Sequence, residues 1–372
     1  MSRPSRTSNR RRGVAALVLL AVAAGSGSGH AAERWTYPLA ERRHDAARAR
    51  LEIHCPRGRV VLAPSPDGAI GLEGDRLVEA ARRERAALLA QRLQVRVWQS
   101  ADVWRLEVEM PDEAGRGPLA EAVLGPPERL EVELRVAVPA GSEVHLQGED
   151  LAVEAHELAG PIRVRNVVGD INLRDLRSDA DLVSGSGRVR VHGAGGAVHI
   201  EAGSGDVSLQ RIAGGVTLRS TSGSVVVDDV GGATRAETTS GRLQLARCRG
   251  PVRASTASGP CSFEGLRDRV DVQSASGDVV FELDPSTGAP VRIETASGDV
   301  EVRVAAGGAL HLAVFTDRGA LRVELPGLVV QERTRQILKG RLGTGPAAEL
   351  HVRSARGAVR VESADARPAA RP

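Results

Sequence analysis

Residues 203–220, GSGDVSLQRIAGGVTLRS, and residues 221–238, TSGSVVVDDVGGATRAET, are one 18-residue unit written twice. Ser-Gly pairs recur outward from them at Ser186-Gly187, Ser204-Gly205, Ser222-Gly223, Ser240-Gly241, Ser258-Gly259 and Ser276-Gly277, with a constant step of 18. A seventh pair, Ser297-Gly298, follows after 21, the extra residues falling around Pro285 to Pro290. Gly169 lies 18 before the first pair, and Gly319 lies 21 after the last. A fixed period of this length marks a repeat architecture in which each unit is one turn of a solenoid.

The columns of the repeat separate inside from outside. Two residues after the glycine stand Val189, Val207, Val225, Leu243, Cys261, Val279 and Val300. Four after it stand Val191, Leu209, Val227, Leu245, Phe263, Phe281 and Val302. A second alternation, as in Val216-x-Leu218 and Val270-x-Val272, completes the unit. Alternation with one apolar face means half-buried strands, here two or three per coil. One unit cannot bury its own apolar side, so like residues stack over like at about 4.8 Å. Glycine at the corners, including Gly214-Gly215 and Gly231-Gly232, suits turns that need positive φ or close backbone approach. The outward columns are polar: Glu201, Arg219 and Glu237 should stack with alternating charge, while His199, Thr217, Arg235, Arg253 and Asp271 vary. That excludes a flat Thr array of the ice-binding kind and any row of stacked aromatics.

The expected fold is therefore all-β: a single-stranded parallel β-solenoid with 18-residue coils and an N-terminal α+β capping region. Right-handed winding is the expectation for such a β-helix. Residues 143–325 carry the repeats, enough for roughly ten coils at that rise. Residues 32–142 form the β-rich cap, with strands at 51–53, 59–62, 93–97, 103–108 and 130–138 and an amphipathic helix over 77–94. Residues 326–349 read as an insertion loop, 350–363 as the final solenoid strands, and 364–372 as a disordered tail.

The start of the chain reads as a secretory signal peptide, residues 1–31. Arg3, Arg6, Arg10, Arg11 and Arg12 precede the apolar run Val14 to Ala24 and an A-x-A-like site near Ala31, and the run is too short to span a bilayer. The expected location is exported, periplasmic or at the cell surface, with no transmembrane segment in the mature chain. Removing those five arginines moves the formal net charge from +3 to −2. The basic character belongs largely to the leader, so nucleic acid is not an expected partner. Of the three cysteines, Cys55, Cys248 and Cys261, none has C-x-x-C spacing. Cys248 and Cys261 occupy apolar columns, and whether they pair as a disulfide stays open.

With the repeat laid out, the chain resembles the putative-adhesin family of bacterial envelope proteins, a domain family without established biochemistry. The resemblance rests on Val136-Ala137-Val138-Pro139-Ala140-Gly141, on Val168-Gly169-Asp170-Ile171, and on Ser-Gly-Asp-Val at 204–207, 276–279 and 297–300. Leu342-Gly343-Thr344-Gly345 before Ala355-Arg356-Gly357-Ala358-Val359 is similar to the family's ending. It covers nearly all of the mature chain, although Arg188, Ser224, Arg242 and Pro260 replace the usual acid after the glycine. The resemblance supports the fold and brings no catalytic or binding residue with it.

Candidate chemistry is weighed against structure at each position. The serines of the ladder, Ser186, Ser204, Ser222, Ser240, Ser258, Ser276 and Ser297, share parity with buried residues and are expected to point inward as a structural ladder, not as nucleophiles. Asp170, Asp206, Asp278 and Asp299 suggest calcium, but coils bearing Arg, Ser, Arg and Pro interrupt the column. The nine His are scattered, with no H-E-x-x-H. No cofactor is expected. The resulting reading is an exported non-enzymatic solenoid serving as envelope scaffold or adhesion/interaction module, its partner an unknown envelope protein or glycan. A carbohydrate-active parallel β-helix enzyme is the first alternative, favoured by an acidic cluster on one face. A self-assembling filament former is the second.

Overall fold

The computed structural model describes residues 33–46, 48–111 and 129–364. The expected leader and all but the first residue of the expected tail lie outside the described residues.

Each repeat makes two short strands, as in Val216–Ser220 followed by Val225–Val230. Each strand pairs in parallel with its equivalent one unit on, so Val207 lies on Val225, Val225 on Leu243 and Leu243 on Cys261. Two parallel ladders result, and their apolar sides share one core. The inward columns are buried along their length: Val225 and Val227 are 0% exposed, and Phe263 stacks near Phe281 with ring centroids 6.0 Å apart. Each buried Val or Leu contributes about 1.5–3 kcal/mol. A run of β-branched residues on a narrow two-sided core therefore substitutes for the missing aromatics.

The first corner follows the Ser-Gly pairs. From Gly169 to Gly259 the column glycines have φ between 109° and 117°. A Cβ on Gly223 would lie 2.2 Å from the carbonyl oxygen of Gly205 beneath it. Both the turn and the stacking distance require glycine there. A bend near the end of the second strand, just ahead of the Gly214-Gly215 and Gly231-Gly232 corner, had no matching sequence signal. It passes through a left-handed residue at every 18th position: Glu157, Asp175, Gly193, Arg211, Asp229, Arg247 and Gly265. Only two are glycine, because the bend lies at the solvent-facing side of the coil and packing of the next residue inward (Leu176, Ile212, Val230, Cys248) holds the strained backbone.

Both ends of the stack depart from chain order. At the C-terminal end, Ala347–Ser354 and Val359–Ser363 do not form the outermost layer. Ile293 lies on Val352 and Val302 on Val361, while Val352 in turn lies under Val314 and Val361 under Val323. The last strand pair is thus inserted between the coil of Gly298 and the coil of Gly319. Consistently, a Cβ on Gly319 would strike the carbonyl of Gly357, not Gly298. Residues 326–349, expected to be a loop, contribute Val329–Arg333, Ile337–Leu342 and the start of the inserted strand. The first two form an antiparallel hairpin edge on Ala309–Thr316.

The N-terminal end repeats the device. Arg50–His54 and Arg57–Pro64 pair in parallel with Glu143–His156, and on their other side with Val103–Glu109 and Arg129–Val138. The expected boundary at residue 143 is therefore no break in the stack: two further coils lie before it. Thirteen layers stack among the described residues, ten of them from residues 143–325 and three from Arg50–His54, Val103–Glu109 and Ala347–Ser354. The expected helix over 77–94 is shorter, Arg83–Arg92, because the preceding residues continue the strand Ala69–Ala80. That strand, with Glu33–Pro38 and Arg42–Asp45 against it, closes one ladder antiparallel. Gln94–Ser100 closes the other. Pairing the outermost coils covers edges that parallel strands would otherwise leave open.

Candidate functional site

The Ser-Gly corner is where the repeat could carry chemistry, and it does not have the arrangement expected. The ladder serines do not point into the core. Ser186, Ser222, Ser240 and Ser258 are half-buried and Ser204, Ser276 and Ser297 are exposed. Five of them donate to a carbonyl of the coil before, as Ser276 Oγ to Ala257 O (2.9 Å) and Ser240 Oγ to Thr221 O (3.1 Å). Their parity is lost because the strand ends two residues before Ser222, Ser240, Ser258, Ser276 and Ser297, and the pairing skips Gly185 and Gly203 just before Ser186 and Ser204.

The buried hydroxyl ladder lies at that earlier position. Asn166, Ser184, Ser220, Thr238, Thr256, Ser274, Thr295, Ser354 and Thr316 stack in register, with Ala202 interrupting the column. Their oxygens tie down the turn. Ser274 Oγ donates to Gly277 O (2.8 Å) and accepts from Gly277 N (3.0 Å), and Thr295 Oγ1 accepts from Gly298 N (3.0 Å). The role expected of the Ser-Gly serines is shared between two columns. Neither has a general base beside it.

The corner aspartates also have a structural partner. Asp170 Oδ1 accepts the N–H of Arg188 (2.8 Å), Asp206 that of Ser224 (3.0 Å), Asp278 that of Asp299 (2.9 Å) and Asp299 that of Ala358 (2.7 Å). Each carboxylate caps a backbone donor of the next coil. Among the described residues no group of three or more His, Cys, Asp or Glu is placed to hold a metal ion.

All three cysteines are free and buried, so the Cys248–Cys261 disulfide left open by the sequence is not formed. Burial pushes the Cys55 thiol up to about 12 and the other two up to about 11. Thiols held neutral in this way are poor nucleophiles. His199 lies on the outer face beside Glu201, with Nε2 3.6 Å from Oε1.

The surface feature of the corner is a groove. After the buried hydroxyl the corner residue is small or short: Gly185, Gly203, Thr221, Thr239, Ala257, Ala275 and Ala296. The outward column beside it is longer, with Glu201, Arg219, Glu237, Gln273 and Glu294. A depression therefore runs along the stack, perpendicular to the strands. It comprises two shallow cavities of about 550 and 750 Å³ that meet at Thr238. Glu201, Arg219 and Glu237 stack with alternating charge, as their spacing implies. Glu237 receives Arg235 (2.5 Å) and Arg219 (3.1 Å), and these bonds, that of Arg235 first, hold its carboxyl below the usual range. Arg292 closes on Glu294 at 2.6 Å. These acids are tied up in exposed ion pairs with arginine, which does not suit them to proton transfer at neutral pH.

Residues 196–341 match the family model described as Toastrack DUF4097. That stretch of the chain is similar to a Toastrack domain. The Toastrack match begins and ends inside the stack, whose layers continue on both sides of it. No curated protein matches the chain. Among solved structures, a putative cell adhesion protein from Clostridium sporogenes ATCC 15579 is similar at 10% identity and a TM-score of 0.20, covering 88% of this chain and 100% of its own. A putative adhesin from Bacteroides fragilis NCTC 9343 is similar at 10% identity and a TM-score of 0.27, covering 89% of this chain and 97% of its own. Likenesses that distant carry nothing about the groove. Among the described residues no helix is long and apolar enough to cross a membrane.

Proposed function

We propose that the chain is an exported, non-enzymatic cell-envelope module that holds an extended polar partner, a glycan or a peptide strand, along the corner groove. The observation that carries this reading is that the two cavities share Thr238 in their lining and follow one another along the stack. A groove that follows the stack matches a linear polymer better than a small metabolite, which takes an enclosed pocket. Its lining offers hydroxyls, the guanidinium groups of Arg219 and Arg353, and carboxylates of which Glu237 and Glu294 are held by arginine. The rigid ladder beneath keeps the ordering cost on the protein side low. Export fits the basic, then apolar start of the chain, and burial would shield the three thiols in an oxidising compartment.

The alternatives fare less well on particular residues. A carbohydrate-active enzyme needs an acid and a base free to act, and Glu237 and Glu294 are each closed on arginine. A filament former needs matching open ends, whereas antiparallel strands close the N-terminal end of both ladders. The test is capture from the native envelope with the purified protein as bait, against both proteins and cell-wall glycans. Thr221→Arg and Thr239→Arg fill the groove from exposed positions; Val226→Arg alters the outer face of the opposite ladder. Saturable capture lost with the first two and kept with the third supports the proposal. Turnover of captured glycan by the protein alone overturns it.

A further inference from the structure

A second site is carried by an arginine in the wrong row. On strand Ala69–Ala80 the core-facing residues Ile70, Leu72, Val78 and Ala80 are no more than 2% exposed. Arg76 shares their parity, so a guanidinium occupies a position where the pattern calls for an apolar side chain. Its Nε is buried and has no hydrogen-bond partner among the described residues. Arg42, on the neighbouring strand Arg42–Asp45, is near enough to act on it by charge, and burial together with Arg42 holds the Arg76 guanidinium below its ordinary value. Neither arginine makes an ion pair among the described residues.

Both line a cavity of about 750 Å³, where Arg96 and Glu107 are the other charged residues. Arg96 is already closed on Glu109 at 2.7 Å. Set against Glu107, Arg42 and Arg76 leave one cation in excess, and Arg76 carries a desolvated donor. Such a pair is destabilising unless something neutralises it. Trp98 forms one wall and is 37% exposed, a large flat apolar surface beside the charges.

We propose that this cavity binds an oxyanion, a carboxylate or a phosphate, carried on a sugar-sized ligand. The planar forks of Arg76 and Arg42 match the geometry of such an anion, and an ammonium would not. Trp98 packs against the apolar face of the attached ring, as aromatic side chains do at half-wet sites. The groove plays no part in this site, so either can fail without the other.

The test titrates the full-length protein with inorganic phosphate, glucuronate and glucose at constant ionic strength, by calorimetry and thermal shift. Saturable binding of at least one anion, with none for glucose, is expected. Phosphate alone identifies a phosphate-bearing ligand, and preference for glucuronate identifies an acidic sugar. Arg42→Gln, at an exposed position, weakens binding at least tenfold. Arg76→Leu abolishes it while leaving the melting temperature equal or higher, because an unpaired charge has gone. No saturation by either anion, equal binding of glucose and glucuronate, or full affinity in Arg42→Gln would overturn the proposal, the last even where Arg76→Leu fails to fold.

Discussion

Replacing Gly223 by alanine should destabilise the stack far more than one methyl group would elsewhere. The added Cβ falls 2.2 Å from Gly205 O and 2.7 Å from Gly205 C, and φ at this residue is +111°. The backbone conformation alone costs an L side chain about 1–3 kcal/mol. Relieving the overlap means lifting one coil from the next by roughly 1 Å, against an interstrand spacing of about 4.8 Å. That stretches the bonds Ser222 N to Gly203 O (3.0 Å) and Val207 N to Ser224 O (2.9 Å), each worth about 1 kcal/mol. The sum is a loss of about 3–5 kcal/mol. Gly288→Ala is the control, with φ +67° and nothing within 4 Å, and should cost only about 1 kcal/mol. Urea unfolding followed by far-UV circular dichroism measures both. Because repeat arrays open locally, hydrogen exchange should also rise in the coils of Gly205 and Gly241. If Gly223→Ala proves no more costly than Gly288→Ala, the close-stacked glycine column is wrong.

Further outcomes follow from the other columns. Arg211→Gly should stabilise by about 0.5–1 kcal/mol by relieving a left-handed non-glycine at φ 55°, and Asp229→Gly by less, because Asp tolerates that region better; thermal melts decide. Asp278→Ala should cost about 1 kcal/mol through the lost acceptor for Asp299 N, and millimolar calcium should leave the melting temperature of the parent protein unchanged. The thiol pKa values lie above the unfolded value of 9.0, so their contribution to stability is complete below pH 9 and is lost as pH rises toward 11–12. Stability between pH 9 and 11 should therefore fall less steeply in Cys248→Ala and Cys261→Val than in the parent, and all three thiols should resist alkylation at pH 8 until the chain unfolds.

The repeat was legible because its determinants are local. A corner glycine and an alternation of valines recur at a fixed step, and the register of Val207 on Val225 follows from the step alone. The crossed ends were not legible. Nothing in Gly319 or Gly357 says which of them stacks on Gly298, since both carry the same corner, and only pairing across some sixty residues decides. The inward direction assigned to Ser186 and its equivalents failed because parity counts hold only along an unbroken ladder, which is interrupted at Gly185 and Gly203 and ends two residues before Ser222 and the later serines. The left-handed bend ahead of the Gly-Gly corner was invisible for the opposite reason: its residues face outward, so Arg211 and Asp229 serve where glycine would have left a signature. Arg76 was passed over because it stands just before the stretch read as helix, among residues assigned to no element. Counted as strand, its core-facing parity stands out at once.

The most direct test of the groove reading places a photo-activatable side chain at Thr239, in the groove, and separately at Val226, on the opposite outer face, and irradiates cells expressing each. The account predicts a discrete cross-linked species from Thr239 that is absent from Val226. Equal adducts from both positions, or a discrete species from Val226 alone, would contradict it.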